Sequence, residues 1–220
     1  LRSCKEKVKL FLVRSRYEKL YLSQGFGISA SKCRIIPLSY NVNPESFGNE
    51  REPFCLHISL LCDARKNVKR LIDASVKYNF KLVLGGILRN EQEKKLLDSW
   101  IRDKPNVTYM GYISYDTMLD LYKRAKVFAL PSIYEGVGVV ALDAAAMGCD
   151  IVITRLGGPK EYYNNMAVEV NPYSIDEIGL AVSQLMQGQT FQPDLRKYIL
   201  ENYSLKNISE QLEMAFSIVL

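Results

Sequence analysis

The segment Pro131 to Gly148, PSIYEGVGVVALDAAAMG, concentrates the residue types that could hold an anion or a polyhydroxylated ligand. Glu135 stands directly ahead of two glycines, Gly136 and Gly138, between a strand candidate and a helix candidate. Glycine lets backbone N–H groups approach a ligand closely, and a helix start adds unsatisfied donors and the positive end of a dipole. The N–H groups of Gly136, Val137, Gly138 and Val139 therefore form a candidate phosphate cradle. Asp143 lies one to two turns into the helix, where its carboxylate can accept hydrogen bonds from ligand hydroxyls if it faces the same edge. GVGVVA also fits the loose dinucleotide pattern GxGxxG/A. That pattern belongs to a first strand–helix turn, with an acidic residue about twenty positions on. Here several strand candidates precede it, and Arg155 to Pro159 stand where the acid should be. A bland alternative is that the two glycines only permit a tight turn.

The elements that must position this segment follow from hydrophobic periodicity. Strands are expected at Leu10–Val13, Phe54–Leu61, Phe80–Leu84, Val107–Met110, Val127–Leu130, Ile151–Ile153 and Ala167–Val170. Helices are expected from a Ser15 cap through Leu22, over Asn67–Tyr78, from an Asn90 cap to Asp103, and after Ser114. Further helices are expected over Val139–Met147, from a Ser174/Glu177 capping box to Met186, over Asp194–Glu201 and over Leu205–Phe216. Gly25 and Gly27 should stop the first helix, and Gly85 and Gly86 should end the strand before them. Arg34 to Phe47 reads as a short strand leading into a linker. Short strands alternating with helices imply an α/β fold, a Rossmann-like parallel sheet with helices on both faces. In such a sheet ligands bind beyond the carboxyl ends of the strands, here the loops after Leu61, Leu84, Met110, Leu130 and Ile153.

Bulk properties exclude several classes. The chain has 220 residues, 48% of them hydrophobic and 24% charged, with a formal charge of +5, the composition of an ordinary globular domain with a mild bias toward anionic partners. Its basic residues are dispersed among acids, which argues against nucleic acid. Cys4, Cys33, Cys55, Cys62 and Cys149 form no CxxC pair, so neither a zinc site nor a disulfide framework is expected, and a reducing compartment is. No apolar run is long enough to cross a membrane, and LRSCKEKVKLFLVRSR lacks the core of a signal peptide. His57 alternates within an apolar strand and reads as a packed, hydrogen-bonded core residue. Arg14 and Arg16 read as exposed charges.

Taken in order, Pro131-Ser132, Glu135-Gly136, Gly138, an acidic residue at Asp143, Ala144, Gly148 and Gly157-Gly158 followed by Glu161 resemble the donor-binding signature of family 4 retaining glycosyltransferases of the GT-B fold. The family has glutamate, seven residues and a second glutamate; this sequence has Glu135, seven residues and Asp143. Lys66-Asn67 match the family's lysine-asparagine, whereas Ser59 and Leu60 replace its glycine and arginine. Gly111, Tyr112 and Ile113 match the segment bordering the nucleotide base.

The resemblance implies the C-terminal half of a GT-B fold. Residues 1–50 would be a remnant of an N-terminal acceptor domain with its linker, 51–190 the nucleotide-sugar-binding domain, and 191–220 helices packing toward the absent domain. It implies glycosyl transfer from a nucleoside-diphosphate sugar, UDP- or GDP-linked, to a saccharide or lipid-linked acceptor, without cofactor or metal. The setting would be the cytoplasm, with peripheral contact at a membrane surface. Glu135 would face the reacting sugar, Lys66 with neighbouring Arg65 would hold phosphate, Gly111 and Tyr112 the base, Asp143 the ribose, and Glu161 would orient sugar and phosphates. The alternatives are a nonenzymatic nucleotide-binding or assembly module and a sugar-nucleotide epimerase.

Overall fold

Alternation of apolar side chains along the strands decides which residues meet which layer of helices. The structure, a computed structural model, describes residues 5–44 and 51–217. Cys4 and the end of the expected linker at residues 45–47 lie outside the described residues. Strand β3 (Glu52–Leu60) turns Phe54, Leu56 and Ile58 into one apolar cluster and Cys55 into another. Its neighbour β4 (Lys81–Ile87) sends Val83 to the first cluster and Leu82 and Leu84 to the second. A strand buried on both faces must read as a nearly continuous apolar run, as these do.

The sheet is completed by β5 (Val107–Tyr109), β6 (Ala125–Leu130), β7 (Asp150–Thr154) and β8 (Val168–Val170). Its order is β5-β4-β3-β6-β7-β8, and every pairing is parallel. Helices α2 (Val68–Lys77), α3 (Glu91–Ile101) and α6 (Ile175–Met186) cover one face through Leu71, Ile72, Leu97, Ile178, Val182 and Leu185. Helices α4 (Tyr115–Arg124), α5 (Val139–Ala146) and α7 (Asp194–Asn202) cover the other through Leu121, Tyr122, Leu142, Leu195 and Ile199. The expected doubly covered parallel sheet is what forms, and most boundaries fall within one or two residues of the sequence reading.

Two glycine readings are corrected. Gly85 and Gly86 do not end β4; they continue it, paired with Ile58 and Ser59 of β3. A Cβ at Gly86 would stand 1.9 Å from the Ser59 carbonyl oxygen, and its φ is +147°. The residue is glycine because two strands close up there. Likewise α1 (Arg16–Phe26) runs through Gly25, and Gly27, at φ +63°, closes it.

A smaller unit precedes the sheet. Strands β1 (Phe11–Val13) and β2 (Cys33–Ile35) pair in parallel and are joined by α1, whose N-cap Ser15 accepts a hydrogen bond from the Glu18 N–H. The chain then runs down onto the large sheet's helices as a strap fastened at several points. Leu38 N–H donates to Tyr162 Oη (3.2 Å), Tyr40 N–H to the Tyr203 carbonyl (3.2 Å), and Arg196 Nη2 to the Pro44 carbonyl (2.7 Å). Val42 is buried in the first cluster. The final helix α8 (Leu205–Ser217) buries Ala215 and leaves Leu205, Met214 and Phe216 exposed.

Gly86→Ala must either open the β3–β4 pairing or strain the backbone, so an equilibrium urea denaturation should show a loss of about 2–4 kcal/mol. Gly111→Ala is the control: its φ is +74° but no atom lies within 4 Å of the added methyl, so the cost should be about 1 kcal/mol.

Candidate functional site

Strands leave β3 in opposite directions: β4 and β5 lie on one side of it, β6 to β8 on the other. Between the carboxyl ends of β3 and β6 the connecting loops diverge to opposite faces, and this crevice is the ligand-binding position of an open parallel sheet. Three contacts join the two loops. The Arg65 carbonyl accepts from the Ile133 N–H (2.8 Å). Asn67, at φ +60° where α2 begins, donates through Nδ2 to the Pro131 carbonyl (2.9 Å) and the Pro172 carbonyl (2.6 Å). Lys66 Nζ donates to Glu135 Oε2 at 2.5 Å, with both side chains largely but not fully covered.

Glu135 is held further by Ser132 Oγ (3.4 Å) and by the Gly136 N–H, which donates to Oε1 (3.2 Å). Its predicted partners Gly136 and Gly138 follow in the same loop. Gly138 adopts φ +72° and caps α5 without any side-chain bond, leaving the N-terminus of α5 without a side-chain cap as the cradle requires. A Cβ at Gly138 would meet Leu130 Cδ2 at 2.9 Å, so the loop is drawn tight over β6. Val137 is buried and Val139 is partly buried within the first cluster. The Arg65 guanidinium is bound to Asp63 at 2.7 Å and holds that carboxyl down to about 2.

At the adjoining edge, Gly111 and Tyr112 follow β5, where the Gly111 carbonyl accepts from the Gly86 N–H (3.0 Å). Tyr112 is widely exposed and shares a cavity of about 700 Å³ with Gly86, Leu88, Lys94 and Tyr109. His57 is the core residue the sequence suggested. Nδ1 donates to the Ala129 carbonyl (2.8 Å), which leaves Nε2 to accept from the Ser59 hydroxyl (2.7 Å), and burial pushes its pKa down to about 4. Leu60, at the position where the resemblance has arginine, is exposed.

Two of the predicted carboxylates are engaged elsewhere. Asp143 lies buried on α5 and accepts the Asn41 N–H of the strap at 2.6 Å, while Tyr115 Oη donates to the Asn41 carbonyl (3.4 Å). Glu161 accepts the Arg16 N–H (2.7 Å) and the Tyr17 N–H (2.8 Å), capping the first turn of α1. The loop ahead of it is packed on the site: a Cβ at Gly157 would lie 2.8 Å from the Glu135 carbonyl oxygen, and one at Gly158 would lie 2.5 Å from Ser15 Oγ.

Residues 43–203 match the family model of the glycosyl transferases group 1. The chain belongs to this family. It is similar to an uncharacterized glycosyltransferase of Methanocaldococcus jannaschii, 30% identical over 71% of this chain and 43% of that protein. It is also similar to O-antigen chain mannosyltransferase B of Escherichia coli, 25% identical over 63% of this chain and 38% of that protein. Among solved structures, sucrose-phosphate synthase of Thermosynechococcus elongatus superposes with a TM-score of 0.84 at 20% identity, covering 98% of this chain and 60% of that one. TarM of S. aureus, in a complex that includes UDP, superposes with a TM-score of 0.79 at 19% identity, covering 98% of this chain and 45% of that one. These likenesses show the GT-B-type fold, and the chain spans less than half the length of the two curated relatives named.

For this group 1 glycosyl transferase chain, sequence reasoning brought Lys66, Glu135, Gly136 and Gly138 to one crevice. It missed Asn67 as the link between three loops, although asparagine is among the few non-glycine residues that readily take left-handed backbone. It also missed Arg14, whose Nη1 lies 3.6 Å from the Cβ position of Gly136. No local pattern marks that contact, because β1 and the glycine loop meet only in the tertiary structure.

Burial pushes the Asp143 carboxyl up to about 6. A folded-state pKa above the unfolded value gives stability that is complete below about pH 4 and lost as pH rises through 6. Asp143→Asn keeps an acceptor for Asn41 but cannot ionise. Its stability relative to wild type should therefore rise by roughly 1–3 kcal/mol between pH 4 and pH 7.5 in denaturant titrations; an unchanging difference would mean the carboxylate is not confined as described.

Proposed function

We propose that this chain is the donor-binding, C-terminal half of a retaining family 4 glycosyltransferase. It would hold a UDP- or GDP-linked sugar in the crevice between β3 and β6 for transfer to a saccharide or lipid-linked acceptor. The observation that carries the proposal is the Lys66–Glu135 pair, which spans the switch point beside the N-terminus of α5. The leaving nucleoside diphosphate gains negative charge as the glycosyl bond breaks. Lys66 supplies a mobile ammonium, and the N–H groups from Gly136 to Val139 supply fixed dipoles, so the work is electrostatic and positional. A phosphate that competes for Lys66 would release Glu135 toward the sugar hydroxyls. Tyr112 and the Gly111 backbone border the base in this reading. Retention rests on the ordered resemblance of the loops to the family signature.

The acceptor would meet the donor from the side of β1 and α1, as residues 1–50 are in this reading a remnant of the acceptor domain with its linker. The four described cysteines are free, in keeping with the cytoplasm. No helix among the described residues is long and apolar enough to cross a membrane, so a lipid-linked acceptor would be reached from the membrane surface.

Two observations favour a nonenzymatic nucleotide-binding module instead: Asp143 is spent on Asn41, and Leu60 offers no charge. Calorimetric titration of the chain with UDP, GDP, ADP and their sugar conjugates separates the two. One nucleotide should saturate, and Lys66→Ala should weaken it roughly tenfold or more, because a hydrogen bond to a charged group contributes about 1.5–3 kcal/mol. Glu135→Gln should leave the free nucleotide nearly unchanged and weaken the sugar conjugate, the split expected of a sugar-facing carboxylate. Equal loss for nucleotide and conjugate would move Glu135 out of that role. Saturation of none, in a folded chain, would defeat the donor reading.

A further inference from the structure

A second cavity, of about 450 Å³, lies between the start of α1 and the turn at Pro159–Tyr162. Its lining includes the cations Arg14, Arg16 and Lys160 and the uncharged Ile35, Pro37 and Tyr198. We propose that this cavity is an acceptor subsite that takes the phosphoryl group of a phosphorylated sugar.

The charge balance of the lining supports an anion. Among the described residues Glu161 is the only carboxylate lining the cavity, and each of its oxygens already accepts a backbone N–H of α1. The same two bonds occupy the helix N-terminus, so side chains and not the helix must attract the ligand. Glu18 is held by Arg14 through Nε and Nη2, which braces the guanidinium and leaves Nη1 clear of that ion pair. Arg16 is exposed and its guanidinium makes no ion pair among the described residues. Lys160 has a long contact to Glu169 at 3.5 Å, with both groups well exposed, and solvent screening makes such a contact easy to exchange. The unpaired fork of Arg16, the single clear nitrogen Nη1 of Arg14 and an ammonium around one concavity suit a phosphoryl group better than a carboxylate or a neutral ring.

The uncharged part of the lining decides the rest of the ligand. Ile35, Pro37 and Tyr198 are each half-buried and add apolar surface to the same cavity, and the volume falls within the roughly 300–1,000 Å³ of small-molecule sites. A sugar ring bearing one phosphate has the polarity for both kinds of lining. Arg14 also joins the cavity to the glycine loop, since its Nη1 stands 3.6 Å from the Cβ position of Gly136. A ligand anchored by its phosphate would thus present hydroxyls toward the crevice. Calling it an acceptor rests on the donor reading; the anion site itself does not.

The test is a titration of the chain with glucose 6-phosphate, inorganic phosphate and glucose, each with and without UDP. Glucose 6-phosphate should saturate about fivefold or more tighter than inorganic phosphate, and glucose should not bind. The double variant Arg16→Ala/Lys160→Ala should weaken glucose 6-phosphate about tenfold while melting temperature and UDP binding stay at wild-type values. Competition by UDP, no saturation by either phosphate, or an unchanged affinity in the double variant would each overturn the proposal. Phosphatidylcholine vesicles with and without phosphatidic acid form the last arm. Sedimentation that needs phosphatidic acid, Arg16 and Lys160, without glucose 6-phosphate binding, would assign the site to a lipid phosphate and overturn the sugar. A chain that binds glucose 6-phosphate but no nucleotide would keep the anion site and lose the donor reading together with the acceptor role that rests on it.

Discussion

In a parallel sheet every strand points its carboxyl end the same way, and the loops there can separate only where the winding reverses. In this chain the reversal falls between β3 and β6, and two loops 69 residues apart in sequence are brought face to face across it. The gap they leave has to be stabilised without being filled. Asn67 does part of this with two backbone acceptors from different loops, and the Arg65 carbonyl does more with the Ile133 N–H. Lys66 and Glu135 then close the opening with an ion pair rather than with apolar packing. A partly covered ion pair gains little net stability, because desolvation offsets much of its attraction. For the same reason it can open when an anion competes for the ammonium.

The tightness of the surrounding backbone follows from the same reversal. The close approach of β3 and β4 at Gly86, and of the glycine loop to β6 at Gly138, leaves no room for a methyl group. Side chains there would push the loops apart and lower the positive potential that the N-terminus of α5 directs at the crevice. Glycine is needed at these positions for space more than for backbone freedom, although each also has positive φ.

The strap and the small βαβ unit add a second layer of constraint. Asp143 fixes Asn41, Tyr162 fixes both Arg14 and Leu38 through its hydroxyl, and Glu161 fixes the start of α1. Carboxylates of the signature are thus divided between two tasks. Glu135 stays at the opening, whereas Asp143 and Glu161 join residues 11–41 to the sheet. Arg14 is carried by that attachment to the glycine loop, so a residue outside the large sheet enters the neighbourhood of its candidate site.

The sequence by itself determined the layer architecture, because strands buried on both faces must be runs of apolar residues and helices on a sheet must repeat theirs at 3.6. It also determined the capping residues Ser15, Asn90, Ser114 and Ser174, whose effects are local. It located Glu135, Gly136 and Gly138 because they share one short loop with a recognisable chemistry. Only the tertiary structure decided which partner each distant charged group would take. Asp143 and Glu161 had the right type and spacing for ligand contact, yet their oxygens meet backbone N–H groups from residues 102 and 144 or 145 positions away in sequence. Spacing fixes where a side chain sits on its own element. The hydrogen bond it makes depends on which other element the fold brings beside it, and no local pattern in the chain carries that information.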